Sequence, residues 1–292
     1  MATARRIIII GAGGRLGAAL VRAYASNFDV VGFARSELDL GQPDRLRSVL
    51  QARHFDVLIN CAAQTNVDRC EKERAEAFAL NAEAPGVLAE ICAAKDARLV
   101  HISTDYVFDG TKAEPYTEED VAKPISVYGE SKLEGERRVL AADDKHVVAR
   151  VSWVFGPDRP SFIDWVIEQA RTKEGVAAVA DKFSTPTYTL DLAEMLPPLW
   201  DPATTGGIFH LSNEGQCSWR EYGQCALDCC EREGIPLRTR TLGGLLLCEM
   251  KQFVARRPVY SALATNKYER ITGSKPRPWQ EAVRDYVEGS LG

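Results

Sequence analysis

No uninterrupted apolar run in this chain reaches membrane-spanning length. Its first apolar run, Ile7 to Ile10, is too short for a signal peptide and passes straight into glycines. No membrane partner and a cytoplasmic location are therefore expected. Basic excess is missing as well: 36 Lys and Arg against 41 Asp and Glu give a net charge of −5. Such a balance argues against a general nucleic-acid binder, which carries a basic stripe. It leaves room for an anionic small molecule held by local arginines. The four histidines, His54, His101, His146 and His210, fall on strand patterns or their approaches and read as structural. Eight cysteines are present, but the cluster Cys225, Cys229 and Cys230 has no second ligand group at zinc spacing. They read as free thiols in a reducing compartment, with no metal.

Repeats and low-complexity linkers are also absent; strands alternate with helical patterns instead. Arg5 to Ile10 is a run of strand length whose β-branched part, Ile7 to Ile10, is continuously apolar as a strand buried on both faces should be. It enters Gly11-Ala12-Gly13-Gly14-Arg15-Leu16-Gly17 and then a helical pattern. Strand, glycine loop and helix form the context of the dinucleotide fingerprint. Gly11 serves the tight turn, Gly14 a close approach to the pyrophosphate, and Gly17 close helix packing. The N–H groups around Arg15 and Leu16 open the helix toward phosphate.

A second strand, Asp29 to Phe33, ends in Ala34-Arg35-Ser36, where an NAD-binding fold usually places an acid for the ribose 2′-hydroxyl. Arg35 and Ser36 suit a 2′-phosphate, so NADPH is favoured over NADH unless Arg35 is only a solvated loop residue. Asp39 and Leu40 follow, placed to meet the adenine. A third strand, Phe55 to Cys61, runs into Ala62, Ala63 and Gln64, where small residues let a cofactor lie against the backbone. Glu71 to Ala94 reads as one long helix, Arg98 to Ser103 as the fourth strand and Val147 to Val151 as the fifth.

Tyr128-Gly129-Glu130-Ser131-Lys132 places a phenol and an ammonium one helical turn apart. An ammonium nearby favours the phenolate, which brings proton exchange closer to neutral pH. The fold expected is α/β, a Rossmann-type doubly wound parallel sheet with a smaller C-terminal substrate-binding lobe. Residues 1–156 would form the nucleotide-binding domain, completed by segments within 188–212, and residues 157–292 mainly the lobe.

Further runs carry a resemblance: Asn60-Cys61-Ala62-Ala63-Gln64-Thr65, Ser103-Thr104-Asp105-Tyr106-Val107-Phe108-Asp109-Gly110, Pro115-Tyr116-x-Glu118, Arg150-Val151-Ser152-Trp153-Val154-Phe155-Gly156 and Arg257-Pro258-x-x-Ser261. With the glycine loop and the Tyr-Lys pair they resemble, over nearly the whole chain, the dTDP-4-dehydrorhamnose reductase family of the extended short-chain dehydrogenase/reductases. The resemblance implies NADPH-dependent reduction of the C4 ketone of a nucleoside-diphosphate 6-deoxy-4-keto-sugar, and it allows a homodimer. It implies Thr104 and Tyr128 at the ketone oxygen and Lys132 on the nicotinamide ribose. Asp105 and Trp153 would orient the sugar. Arg257 would serve the diphosphate or fix the C-terminal segment. A non-catalytic regulatory subunit and a reductase of another keto-sugar are the alternatives. Three departures stand out: Gln64 in the Ala-Ala-x-Thr segment, Lys182 where the family has glutamine, and Arg15 where some members carry a magnesium-binding acid. No metal is expected there. The Leu242 to Phe253 segment also looks unusual.

Overall fold

The computed structural model describes residues 5–201 and 203–291. Strand β1 (Arg6–Ile10) lies inside the sheet, so its isoleucines face two cores in alternation. Ile7 and Ile9 enter one core, Ile8 and Ile10 the other. Around it lie β2 (Asp29–Phe33), β3 (Val57–Asn60), β4 (Arg98–Thr104) and β5 (Val147–Val151), with a sixth strand, Gly207–His210, at the far edge. The order is Gly207–His210, β5, β4, β3, β1, β2, and every pairing is parallel. Parallel strands require crossovers over the faces, and these supply the helices.

Helix α1 (Arg15–Tyr24) covers one face. Helix α2 (Pro43–Gln51) packs on the other. The expected long helix after β3 is instead α3 (Val67–Lys72), α4 (Arg74–Phe78), a π-helical turn over Ala79–Glu83, and α5 (Ala84–Ala94). Glu73 leaves helical geometry at φ −119°, ψ 57°, which separates α3 from α4. The π turn rotates Asn81 inward, where it bonds the backbone of Gln64 and, at 3.0 Å, the Ser131 hydroxyl. By length and hydropathy alone, Arg74–Ala94 could cross a membrane. Here it packs as a core helix, with Leu88, Ala89, Ile91 and Cys92 buried against the sheet and α6 (Val127–Ala142).

After Phe155 the chain builds a second core from α7 (Phe162–Thr172), then returns to the sheet with α8 (Thr189–Met195) and the Gly207–His210 strand. It leaves again with α9 (Trp219–Arg232), touches the sheet core through Tyr268 of α10 (Asn266–Thr272), and ends in α11 (Trp279–Leu291). Helix α9 starts where Ser218 and Glu221 bond each other's backbone, a reciprocal cap. In the unusual segment, Gly243–Leu245 pairs in parallel with Ala177–Val179, and a 3₁₀ turn follows at Leu247–Glu249.

Candidate active site

The C-terminal ends of β1 to β5 open on one cavity of about 820 Å³. Such a crevice is where an open α/β sheet binds ligands, and its size suits a small-molecule site. Its wall includes Gly11, Gly14, Arg15, Leu16, Ala62 and Ala63 on one side. Arg35, Ser36, Asp39 and Leu40 lie at one end, and Thr104, Asp105, Tyr128, Lys132 and Trp153 complete it. Gly17, Gln64 and Arg257 are not among the lining residues.

Gly17 acts through packing, as its position in the loop predicts: a Cβ there would sit 2.2 Å from the Gly11 carbonyl oxygen. Gly11 itself takes φ +87°, and a Cβ on it would meet Ala62 N at 2.8 Å. Gly14 caps α1 with no side-chain bond, leaving the first-turn N–H groups free to meet phosphate. A dinucleotide therefore fits: the cradle is backbone, and its tight turn leaves no room for side chains at Gly11 or Gly17. Gln64 has another job than lining the cofactor site. Its N–H donates to Asn81 Oδ1 at 2.8 Å and its side chain accepts from Asn66 N at 3.2 Å, which fixes the turn after β3.

Arg15 does not reach into the cavity for an anion. It donates to the carbonyls of Arg159 and Val154, each at 3.0 Å, and of Pro160. Arg159 answers with two bonds to the Gly13 carbonyl, at 3.0 and 2.7 Å, and it lines the cavity beside the glycine loop. The sequence reading missed Arg159 because it lies where the strand-helix pattern loosens. Arg35 stays exposed, 3.3 Å from Asp39, whose other oxygen accepts from Gly41 N.

Tyr128 enters from the first turn of α6, whose N-cap Ser126 accepts from Gly129 N. The helix lies so close to the loop after β4 that a Cβ on Gly129 would fall 2.2 Å from the Tyr106 carbonyl oxygen. Tyr106 packs edge-on against Tyr128 at 5.5 Å. Burial pushes the Tyr128 phenol up, outweighing the Thr104 hydrogen bond that holds it down. The lowering expected from Lys132 is not among the influences on it, and the phenol keeps its proton across the neutral range. Thr104 donates to Asp105 Oδ1 at 3.1 Å.

Lys132 is buried, and its ammonium donates to the Ile102 carbonyl at 2.7 Å and lies 3.3 Å from His101 Nε2. His101, read as structural, therefore touches a candidate site residue. Burial lowers the Lys132 pKa to about 8, with Glu136 opposing the fall. Glu136, one turn on along α6, holds Arg150 at 2.9 and 2.6 Å and accepts from Ser103 at 2.5 Å. Trp153 adopts φ +40°, unusual for a bulky residue, and its buried Nε1 has no partner among the described residues. Its ring is stacked near Tyr222 and tilted against Trp219.

Arg257 pairs with both Asp68 oxygens, at 3.1 and 2.8 Å, and lies 3.6 Å over the Phe253 ring. Asp68 also accepts from Val254 N and Ala255 N. Of its two expected roles, Arg257 here fills the second, tying the C-terminal segment to α3. The Arg257 hydrogen bond is the largest influence lowering Asp68, whose pKa falls to about 2. A depressed carboxylate adds stability above its unfolded value, near pH 4, and loses it as pH falls toward 2. Asp68→Asn is expected to cost about 2 kcal/mol at pH 7, with the deficit against the parent shrinking below pH 4. Urea midpoints at pH 7 and pH 3 check this.

Residues 5–291 match the family model described as RmlD substrate binding domain. The chain is 38% identical over 287 residues to the dTDP-4-dehydrorhamnose reductase of Mycobacterium tuberculosis (strain ATCC 25618 / H37Rv), covering 95% of this chain and 91% of that one. The chain belongs to the dTDP-4-dehydrorhamnose reductase family. Among solved structures it resembles the dTDP-4-dehydrorhamnose reductase of Bacillus anthracis in complex with NADP, with a TM-score of 0.91 at 32% identity over 98% of this chain and all of the other. It is also 36% identical, over 96% of its length and 94% of the relative's, to a probable dTDP-4,6-dihydroxy-2-methyloxan-3-one 4-ketoreductase of Streptomyces antibioticus.

Proposed function

We propose that this chain reduces the C4 ketone of dTDP-4-dehydro-L-rhamnose with NADPH, giving dTDP-L-rhamnose. The observation that carries this reading is the convergence, in one cavity, of a backbone phosphate cradle with Thr104, Tyr128 and Lys132. NADPH, when bound, supplies the hydride. The chain's own groups manage the charge that then develops on the ketone oxygen. Tyr128, protonated because its burial holds the phenol up, gives that oxygen its proton. Thr104 donates a hydrogen bond to the same oxygen, releasing Asp105. Lys132 holds the nicotinamide ribose through donors left over from the Ile102 carbonyl. Trp153 packs on the apolar face of the sugar, and Asp105 orients a hydroxyl. Gly11, Gly14 and the first turn of α1 hold the pyrophosphate, with Arg159 beside them. The eight cysteines are free thiols, which fits a reducing cytosol.

The decisive assay is NADPH consumption with dTDP-4-dehydro-L-rhamnose and identification of the product. Lack of turnover with that sugar and with related keto-sugars would remove the reading. A different keto-sugar is the second reading, favoured by the Streptomyces relative at 36% identity. A substrate panel ranked by kcat/KM separates the two.

Arg35 is the group available to a 2′-phosphate. Because it is exposed, its contribution is modest: Arg35→Ala should lower the NADPH-to-NADH preference by about tenfold. An unchanged ratio of kcat/KM values means Arg35 does not read the phosphate.

A further inference from the structure

Two arginines beside the glycine loop are held by main-chain carbonyls rather than by carboxylates. Arg15, at the start of α1, donates to the carbonyls of Val154 and Arg159, each at 3.0 Å, and of Pro160. Arg159 reaches back across the same gap, and its Nε and Nη2 meet the Gly13 carbonyl at 3.0 and 2.7 Å. Their neighbours differ: Arg22 pairs with Asp158, and Arg35 with Asp39. Among the described residues, neither Arg15 nor Arg159 forms an ion pair.

The turn that carries Arg159 is stiff. Pro157 and Pro160 fix their own φ angles, and Pro160 also disfavours helical geometry at Arg159. On one side Val154–Phe155 pairs with Thr187–Tyr188; on the other, Ser161 and Asp164 cap α7 reciprocally. Asp158 ties the turn to α1 through Arg22. The Arg159 side chain is exposed and lines the cavity with Gly11, Gly13 and Gly14. Its Nη1 has no hydrogen-bond partner among the described residues. Two N–H donors and an unmatched charge therefore remain beside the cradle.

A backbone cradle supplies N–H groups and partial charge, but no full positive charge to set against a diphosphate. A guanidinium supplies both charge and paired donors. Resting on the reductase reading and its dinucleotide, we propose that Arg159 is a ligand of the cofactor pyrophosphate, with Arg15 as its positioning residue. Anchorage on Gly13 assigns Arg159 to the cofactor rather than to the diphosphate of the sugar nucleotide. A Cβ on Gly13 would lie 3.5 Å from the Ala34 Cβ, next to Arg35 at the adenosine end. Because Arg15 already holds the turn through three carbonyls, little ordering remains to be done when the cofactor arrives.

The test measures binding to the full chain and needs no turnover. Arg159→Ala should weaken NADPH and NADH by the same factor, about tenfold, because both carry the diphosphate. Fluorescence titration reads this, and the gap from the wild type should narrow as salt is raised. Arg159→Lys keeps the charge without the fork and should lose about threefold. Adenosine 2′-monophosphate, which has no diphosphate, and dTDP should bind the variant as they bind the wild type. Arg15→Met should weaken NADPH in the parent and have no further effect beside Arg159→Ala. Unchanged NADPH affinity in Arg159→Ala overturns the proposal, as does a loss confined to dTDP or to NADPH over NADH. A loss shared by adenosine 2′-monophosphate overturns it too, because the diphosphate is then not what Arg159 reads. Additive effects of the two substitutions remove the positioning role of Arg15. If the wild type binds both dinucleotides with these dependences yet reduces no keto-sugar, the reductase reading fails and the Arg159 assignment stands.

Discussion

Tyr128→Phe is expected to lower kcat by a factor of about 10² to 10⁴, the usual contribution of a positioned general acid. Affinity for NADPH should change far less, because the phosphate cradle is built from backbone at Gly11 to Gly14 and the start of α1. The substitution removes one hydroxyl and keeps the ring that packs edge-on against Tyr106, so stability should be nearly unchanged. That combination separates chemistry from folding. Stopped-flow single turnovers with NADPH and the keto-sugar provide the measurement. A variant that keeps more than a tenth of the wild-type rate in the chemical step would assign the proton to another donor.

The second large effect lies one shell behind the phenol. Glu136 and Arg150 form a buried ion pair with side-chain exposures of 2% and 3%. Removing one member of such a pair strands the other charge, at about 3–5 kcal/mol. Domains of ordinary stability have roughly 5–15 kcal/mol in total. Glu136→Ala is therefore expected to be severely destabilised, since among the described residues the Arg150 guanidinium would keep only its contact with the Phe108 ring. Replacing both residues by apolar ones of similar volume should cost less than Glu136→Ala, because neither charge is then stranded. Equilibrium denaturation of the single and double variants measures this. Glu136→Gln has a functional signature too. Glu136 raises the Lys132 pKa against burial, so its neutralisation should move the alkaline limb of kcat/KM below pH 8. The sign follows from the working form: Lys132 must be charged, and that charge is lost as pH rises through its pKa.

The nucleotide half was legible because each of its signals is local. A continuous β-branched run, a glycine at each close approach and a helix directly after them are dictated by adjacent residues. Ile7 to Ile10, Gly11 and Gly17 show this directly. Thr104, Tyr128, Lys132 and Trp153 could be nominated, and they do line one cavity. What spacing could not convey was which long-range partners each residue finds. Gln64 turns to Asn81, Arg15 to the loop carrying Arg159, and Arg257 to Asp68, 189 positions away. The long helix before β4 was legible as helix, but its break at Glu73 and its π turn were not, for the same reason. Its composition is helical throughout, but Asn81 is drawn inward by Gln64 and Ser131, and the helix widens into a π turn to allow it. Lys182 was noticed as an oddity of sequence, while its burial behind Tyr106 and Trp153 emerged only from the fold.

The central claim is hydride delivery to C4 of the sugar, with the proton of the new hydroxyl coming from Tyr128. Its most direct test supplies NADPH carrying deuterium at the transferable position of nicotinamide C4, with dTDP-4-dehydro-L-rhamnose as acceptor. The product is then examined by NMR. Deuterium bonded to C4 of the product sugar, formed by the wild type and not detectably by Tyr128→Phe over the same interval, is the predicted result. Label lost to solvent, label at any other carbon, or equal incorporation by the two proteins would contradict it.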